Sequence, residues 1–202
     1  EFRRVLFRSE LQAGCFSRDT SVNQATGRIW GVEESRVYGD WLNMLKAEKD
    51  KLDAIVILTP TPGHYEPVAA AIDLGYPVIC EKSLVGNSTD AKLIESSVSE
   101  NGGFLAMTYN YTGYPMVREL RHMIKSKKLG KVEQVHIEMP QEGFARLDKN
   151  SNPMVPQQWR LNDTEVPTIS LDLGVHMHNL VSFLTNEKAL EVVATQNSFG
   201  RF

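Results

Sequence analysis

Residues 57–84 read ILTPTPGHYEPVAAAIDLGYPVICEKSL, and this stretch decides the fold. It opens inside an apolar run, LDAIVIL at 52–58, and crosses a turn rich in Thr, Pro and Gly. A helical segment follows, HYEPVAAAIDLG, with Pro62 near its start and Gly75 at its close. The chain then enters a second apolar run, PVICEK, at 77–82. Continuous apolar runs of this length, bounded by turn signals, suit parallel strands buried on both faces. Strand, helix and strand make one β-α-β unit, and such units cross over in the right-handed sense.

The same texture extends in both directions. Upstream, LQAGCFS at 11–17 is a short apolar strand, and RDTSVNQATGRIWGV is a helix bracketed by Asp19 to Ser21 at its start and Gly31 at its stop. Val37 or Tyr38, Trp41, Leu42 and Leu45 in SRVYGDWLNMLKAEKDK fall at roughly helical spacing. Downstream, the cap-like Asn87, Ser88 and Thr89 open a helix running to about Glu100. Gly102 and Gly103 then lead into the strand FLAMTYN at 104–110. Four strands with crossover helices specify an α/β fold with an open, Rossmann-type parallel sheet. Beyond the basic amphipathic helix TGYPMVRELRHMIKSKKLGKV, expected to end at Gly130, the pattern changes. VEQVHIEM at 132–139 and LEVVATQNSF at 190–199 alternate apolar with polar, as strands with one buried face do. A first domain over 10–120 and a second, α+β domain over 121–202 with a mostly antiparallel sheet are expected.

Composition narrows the function. The chain has 202 residues, 42% of them apolar and 23% charged, with a formal net charge of −3. That balance gives no general attraction to nucleic acid, and no apolar run approaches the ~20 residues of a membrane-spanning helix. Cys15 and Cys80 each lie in an apolar strand-like run, the setting of buried thiols rather than of a disulfide, which fits a reducing, cytoplasmic environment. A metal site is not expected: His176 and His178 are two apart, face away from each other on a helix, and lack a cluster of Cys or carboxylate ligands around them.

Several motifs then fall in one order. A T-P-x-x-x-H turn is Thr59, Pro60 and His64. Glu81 and Lys82 follow the second strand. YNYTGYP stands at 109–115, KLGKV at 128–132 and the Trp159-Arg160 pair after them, and a D-x-G-x-H element is Asp172, Gly174 and His176. In this series the sequence resembles the Gfo/Idh/MocA family of nicotinamide-dependent sugar and polyol dehydrogenases, from about Leu11 onward. The resemblance implies hydride transfer between NAD or NADP and a sugar, cyclic polyol or sugar derivative. It also implies a small-molecule partner only, and homo-oligomerisation through the C-terminal sheet. Two other activities accompany sequences of this kind: glycoside hydrolysis with transiently used NAD, and non-catalytic dinucleotide or sugar binding by a regulator.

The resemblance assigns roles that the chemistry supports. Hydride transfer at a carbinol carbon needs a group to take the hydroxyl proton and a cation near the developing alkoxide. Lys82, at the end of a buried strand, matches the family's catalytic lysine and anchors the substrate oxygen. Asp172 and His176, four apart, share one face if LDLGVHMHNL starts a helix. His176 is then the acid/base, with Asp172 as its partner or as a substrate ligand. The bland alternative is an N-cap aspartate with an incidental histidine. Arg160 meets a substrate hydroxyl, an anionic group or a surface carboxylate. Thr59, Pro60 and His64 line the cofactor cleft, His64 alternatively capping a helix, and Glu81 and Asn110 stand at the same strand ends. Ser17 and Arg18, which close the strand at 11–17, favour the 2′-phosphate of NADP over NAD, while Asp19 either reaches the ribose or caps the next helix.

The match has departures. Ser83 replaces the proline of the family's E-K-P, Asn179 stands where an aspartate often closes the D-x-G-x-H element, and Tyr111 and Thr112 occupy positions often basic in relatives. No G-x-G-x-x-G occurs. The family's first β-α unit would precede LQAGCFS, where residues 1–9, EFRRVLFRS, read as the translation of a sequencing adapter joined to a truncated gene. The expectation is therefore an incomplete Rossmann domain, followed by a partial second domain, that binds cofactor poorly and is inactive as it stands.

Overall fold

The computed structural model describes residues 9–143 and 146–197. EFRRVLFR, the bulk of the expected leader, lies outside them, as does the end of the segment 190–199. The chain divides into two compact units that are not consecutive in sequence. One draws on Glu1–Thr59, Gly63–Cys80 and Lys92–Ala106, the other on Pro60–Pro62, Glu81–Ala91 and Met107–Phe202.

The first unit begins with an extended segment in which Gly14 bridges Val37 in parallel. Helix α1 (Thr20–Trp30) starts where its cap predicts: Asp19 accepts from the backbone N–H of Ser21 and Val22, and Gly31 ends the helix at φ 74°. Left-handed backbone of this kind carries no steric penalty at glycine. Gly27 lets α1 approach the 37 region closely, since a Cβ there would stand 2.4 Å from Val37 Cγ2. Helix α2 (Trp41–Ala47) is capped by Asp40, whose side chain accepts from Asn43 N–H. Strand β1 (Ile55–Ile57) then leads through a short 3-10 turn to α3 (Tyr65–Asp73), and β2 (Val78–Glu81) follows. β1 and β2 pair in parallel, Ile55 opposite Val78 and Ile57 opposite Cys80. Helix α4 (Ser88–Glu100) precedes β3 (Leu105–Thr108), and the sheet order is β1-β2-β3. This is the expected α/β arrangement with a parallel sheet. The core of the first unit is Leu45, Ile55, Ile57, Val68, Ala71, Ile72, Tyr76, Val78 and Cys80, all buried.

One strand expectation is corrected here. The segment 11–17 forms a single bridge rather than a strand, because within the described residues its only ladder neighbour is the stretch around Val37. Both cysteines are thiols as expected, Cys80 buried and Cys15 half-buried, where burial raises the Cys15 pKa above its ordinary value.

A buried charge stands in this unit. Glu48 is 1% exposed. Arg36 grips it with two hydrogen bonds, Nε to Oε1 at 3.0 Å and Nη2 to Oε2 at 2.6 Å, and the Tyr38 hydroxyl donates to Oε1 at 2.8 Å. The Arg36 hydrogen bonds hold the Glu48 carboxyl below its ordinary pKa. That stabilisation is therefore present above the unfolded glutamate value of about 4.3 and is lost as pH falls through the lower folded value. Deleting the carboxylate removes three hydrogen bonds but leaves Arg36 partly exposed and still bonded to Gln12, so Glu48→Ala should destabilise the chain by about 2 kcal/mol in urea unfolding near neutral pH. A change near zero would show that the pair is not a structural tie.

In the second unit, α5 (Pro115–Lys125) begins on a proline at its first turn and stops earlier than its composition suggested, with Lys127 at φ 59° and Gly130 at φ 75°. It packs against α6 (Val175–Thr185), where the Arg121 guanidinium lies 4.1 Å from the centre of the Phe183 ring. The expected antiparallel sheet is not found among the described residues: neither 132–139 nor 190–197 is a strand. An alternating segment becomes a strand only when a neighbour accepts its ladder bonds, and neither segment has one here. Their apolar side chains stand in solvent, Leu190 95% and Val193 98% exposed. No helix among the described residues is long and apolar enough to cross a membrane.

Candidate active site

The second unit assembles a cluster around Asp172. Lys82 leaves the carboxyl end of β2, and its Nζ donates to Asp172 Oδ1 at 2.6 Å and to the Asp172 backbone carbonyl at 2.8 Å. The next residue, Ser83, donates from its hydroxyl to the carbonyl of Leu171. Two consecutive residues thus hold two consecutive residues of the opposing segment, and both Ser83 and Leu171 are buried. The Lys82–Ser83 peptide bond is cis. Arg160 closes a 3-10 turn, Gln158–Arg160. Its Nη2 donates to the same Asp172 Oδ1 at 3.1 Å, and its guanidinium lies 4.8 Å from the centre of the Trp159 ring. Lys82 and Asp172 side chains are 15% and 22% exposed, so the pair is shielded but open to a ligand.

Asp172 lies in a π-helical segment, Ser170–Gly174, that runs directly into α6. Short π-helical turns of this kind are frequent at functional sites. The wider turn changes the expected geometry. Spacing by four predicts Asp172 over His176 on regular α-helix, yet Asp172 bonds to Lys82 and Arg160 and makes no hydrogen bond to His176. The hydrogen bonds of the carboxylate go to two cations, while its charge still acts on His176 and favours the protonated imidazole.

His176 is 8% exposed, and its Nδ1 is buried without a hydrogen-bond partner among the described residues. Two tyrosines meet the ring edge-to-face: Tyr111 with centroids 4.8 Å apart at 82°, Tyr109 at 6.0 Å and 85°. Burial, and after it the Lys82 charge, lowers the His176 pKa from its ordinary value, against the opposing carboxylates of Glu81 and Asp172. Glu81 accepts from the Thr108 hydroxyl. The Tyr109 phenol is raised, chiefly by burial and then by Glu81.

Lys82, Asp172, Arg160 and His176 therefore come together. Asn110 is exposed beside this cluster's tyrosines in sequence, and its carbonyl accepts from Gly113 N–H at 3.0 Å. Pro60 is exposed. Ser17, Arg18, Thr59 and His64 belong to the first unit. There the Thr59 hydroxyl donates to the Gly63 carbonyl at 3.1 Å, and a His64 ring nitrogen bonds the Thr59 carbonyl. His64 is wholly buried and makes no side-chain cap, and its bond to the Thr59 carbonyl ties the turn together. The Asn23 amide oxygen accepts from the backbone N–H of Phe16 and Ser17, at 2.7 and 3.2 Å. Arg18 is exposed. Asp19 caps α1 with Oδ1, resolving its two readings toward the cap. No cluster of potential metal ligands occurs among the described residues.

Sequence reasoning missed the Ser83 hydroxyl, the Thr108–Glu81 bond and the two tyrosines around His176. The signal for the last was present: YNY directly follows a strand end.

Comparison with known proteins agrees with this geometry. The family model described as "Oxidoreductase family, NAD-binding Rossmann fold" matches residues 6–109, and the one described as "GFO/IDH/MocA C-terminal domain" matches 117–201. The α/β fold with its parallel sheet is that of the NAD-binding Rossmann class. Within that class, the chain belongs to the Gfo/Idh/MocA family. It is 28% identical over 196 residues to the uncharacterized oxidoreductase YfiI of Bacillus subtilis, covering 94% of this chain and 50% of that protein. It is 29% identical over 165 residues to an inositol 2-dehydrogenase of Rhodococcus erythropolis, covering 78% and 41%. Among solved structures, an inositol dehydrogenase homolog of Azotobacter vinelandii complexed with NADH and myo-inositol superposes with a TM-score of 0.77 at 24% identity, covering 89% of this chain and 46% of that one. The chain spans about half the length of the relatives it matches.

Proposed function

We propose that the protein containing this chain is an NAD(P)-dependent dehydrogenase acting on a sugar, cyclic polyol or sugar derivative. The observation that carries this reading is the Lys82–Asp172–Arg160 cluster, partly shielded, in the same unit as a desolvated His176. Lys82 supplies the cation for an alkoxide-like oxygen, in a site of reduced dielectric where it acts more strongly than in water. Asp172 fixes the ammonium through two acceptors and, with only Oδ1 of its carboxylate engaged among the described residues, keeps Oδ2 for a substrate hydroxyl. His176, kept neutral by its surroundings, takes the hydroxyl proton in oxidation and returns it in reduction. Arg160 holds Asp172 in place and presents further donors to an oxygen-rich ligand. The name of the Rhodococcus protein supports a polyol substrate.

A nicotinamide dinucleotide, when bound, accepts or gives the hydride. The residues present fit part of it. Leu58, Thr59 and Pro60, beyond the carboxyl end of β1, are exposed where open parallel sheets take ligands. Asp19 caps α1 through Oδ1, and Ser17 with the exposed Arg18 stands beside it for the adenosine ribose, which supports NADP. No glycine-rich phosphate turn is present among these residues to complete the pyrophosphate site.

The test is nicotinamide absorbance on the complete protein, with inositols, aldoses and anhydrosugars each offered with NAD+ and NADP+. Substrate-dependent reduction of cofactor is expected, stronger with NADP+. Release of an aglycone from glycosides without net reduction would replace this reading with hydrolysis, and sugar binding without either reaction would replace it with a regulatory role.

A further inference from the structure

We infer that Tyr111 is a positioning residue of this site, its ring holding the His176 imidazole in the orientation that no carboxylate holds. The inference rests on the reading of His176 as the acid/base group. An imidazole that moves protons is ordinarily oriented by a hydrogen bond from its second nitrogen to a carboxylate or a backbone carbonyl. His176 lacks that bond: its Nδ1 is buried and unpartnered among the described residues, and the Asp172 carboxylate is engaged by Lys82 and Arg160. What touches the ring instead is aromatic. Tyr111 stands 4.8 Å away at 82° and Tyr109 6.0 Å away at 85°, so two ring planes meet the imidazole nearly at right angles. Edge-to-face contacts of this kind have a preferred geometry, and a ring caught in two of them has little freedom to turn.

The placement of Tyr111 has a cause in the chain. Beyond β3 the backbone makes a single 3-10 turn, Tyr111–Gly113, tied by the Thr112 hydroxyl to the Tyr109 carbonyl at 2.9 Å and by Gly113 N–H to the Asn110 carbonyl at 3.0 Å. That turn brings the first and third residues of YNY to the same imidazole. Tyr114 packs edge-to-face on Tyr111 at 5.9 Å and 76°. The charged groups around the imidazole are Lys82 and Glu81 from β2 and the turn after it, and Asp172, with Arg160 on it, from the π-helical segment; Arg121 of α5 is turned to Phe183. Lys82 opposes protonation of His176, Glu81 and Asp172 favour it, and the largest influence is burial, to which the tyrosine rings contribute directly.

The experiment is a pH titration of the histidine side chains by NMR on the nitrogen-15-labelled chain, which holds five histidines. His176 is assigned by the signals missing from His176→Asn. In the unsubstituted chain His176 is expected to titrate below the ordinary imidazole value of about 6.5 and to show one dominant tautomer. Tyr111→Phe should leave both features in place, because the ring stays. Tyr111→Ala should move the midpoint upward toward the ordinary value and mix the tautomers. Should the alanine variant not fold, Tyr111→Leu keeps the volume and removes the aromatic edge, and mixed tautomers in it are the expected result. Unchanged midpoint and tautomer in the folded variant, Ala or Leu, would overturn the inference. The readout needs no substrate, so absence of dehydrogenase activity in the complete protein would sink the functional reading and leave this result standing on its own.

Discussion

Lys82→Met in the complete protein should lower kcat on a responsive polyol by about 10²–10³-fold, the usual loss when one preorganised donor to a developing oxyanion is removed. Methionine has nearly the length of lysine and no charge, so the site keeps its shape while the substrate oxygen loses its cation. The fold should survive the change, since Asp172 retains the Arg160 bond at 3.1 Å and the Ser83 hydroxyl still holds the Leu171 carbonyl. KM should move much less than kcat, because the alkoxide charge that Lys82 meets is largest in the transition state. Steady-state kinetics of the variant beside thermal unfolding decides the matter. Turnover within a few-fold of the parent would remove Lys82 from the chemistry and leave the Lys82–Asp172 pair as a structural tie.

The parts of this site that were legible in the sequence are those determined by local rules. Asp19 and Gly31 bracket α1 because a short carboxylate satisfies exposed N–H groups and a glycine tolerates left-handed backbone. The apolar runs at 52–58 and 77–82 contain paired parallel strands because burial on both faces leaves no reason to alternate. Lys82 could be placed at a strand end from these rules alone. The partner of Asp172 could not. Spacing by four assumes 3.6 residues per turn, and the π-helical turn at Ser170–Gly174 breaks that assumption just where the carboxylate sits. Which cations then meet it depends on Lys82 and Arg160, distant in sequence by 90 and 12 residues. The segments 132–139 and 190–197 show the opposite failure: their alternation is a property of the segment, whereas a strand is a property of a pair.

The pH dependence of the reaction follows from the burial of His176. Its imidazole is pushed below its ordinary pKa, first by desolvation and then by the Lys82 ammonium. A base with a depressed pKa remains neutral to lower pH, so kcat/KM for polyol oxidation should rise along an acidic limb whose midpoint lies below about 6.5 and be level at neutrality with respect to this group. His176→Asn should remove that limb and lower kcat/KM by about 10²–10⁴-fold, the range for losing a positioned general base. The sign distinguishes His176 from a solvent-exposed histidine, which would give a limb near the ordinary value. Lys82→Met supplies an internal check. Without the ammonium, protonation of His176 becomes easier, and the limb should move upward from its position in the parent, though desolvation still holds it down. A limb that stays fixed in Lys82→Met and persists in His176→Asn would belong to another group, and the proton would have to pass through a residue other than His176.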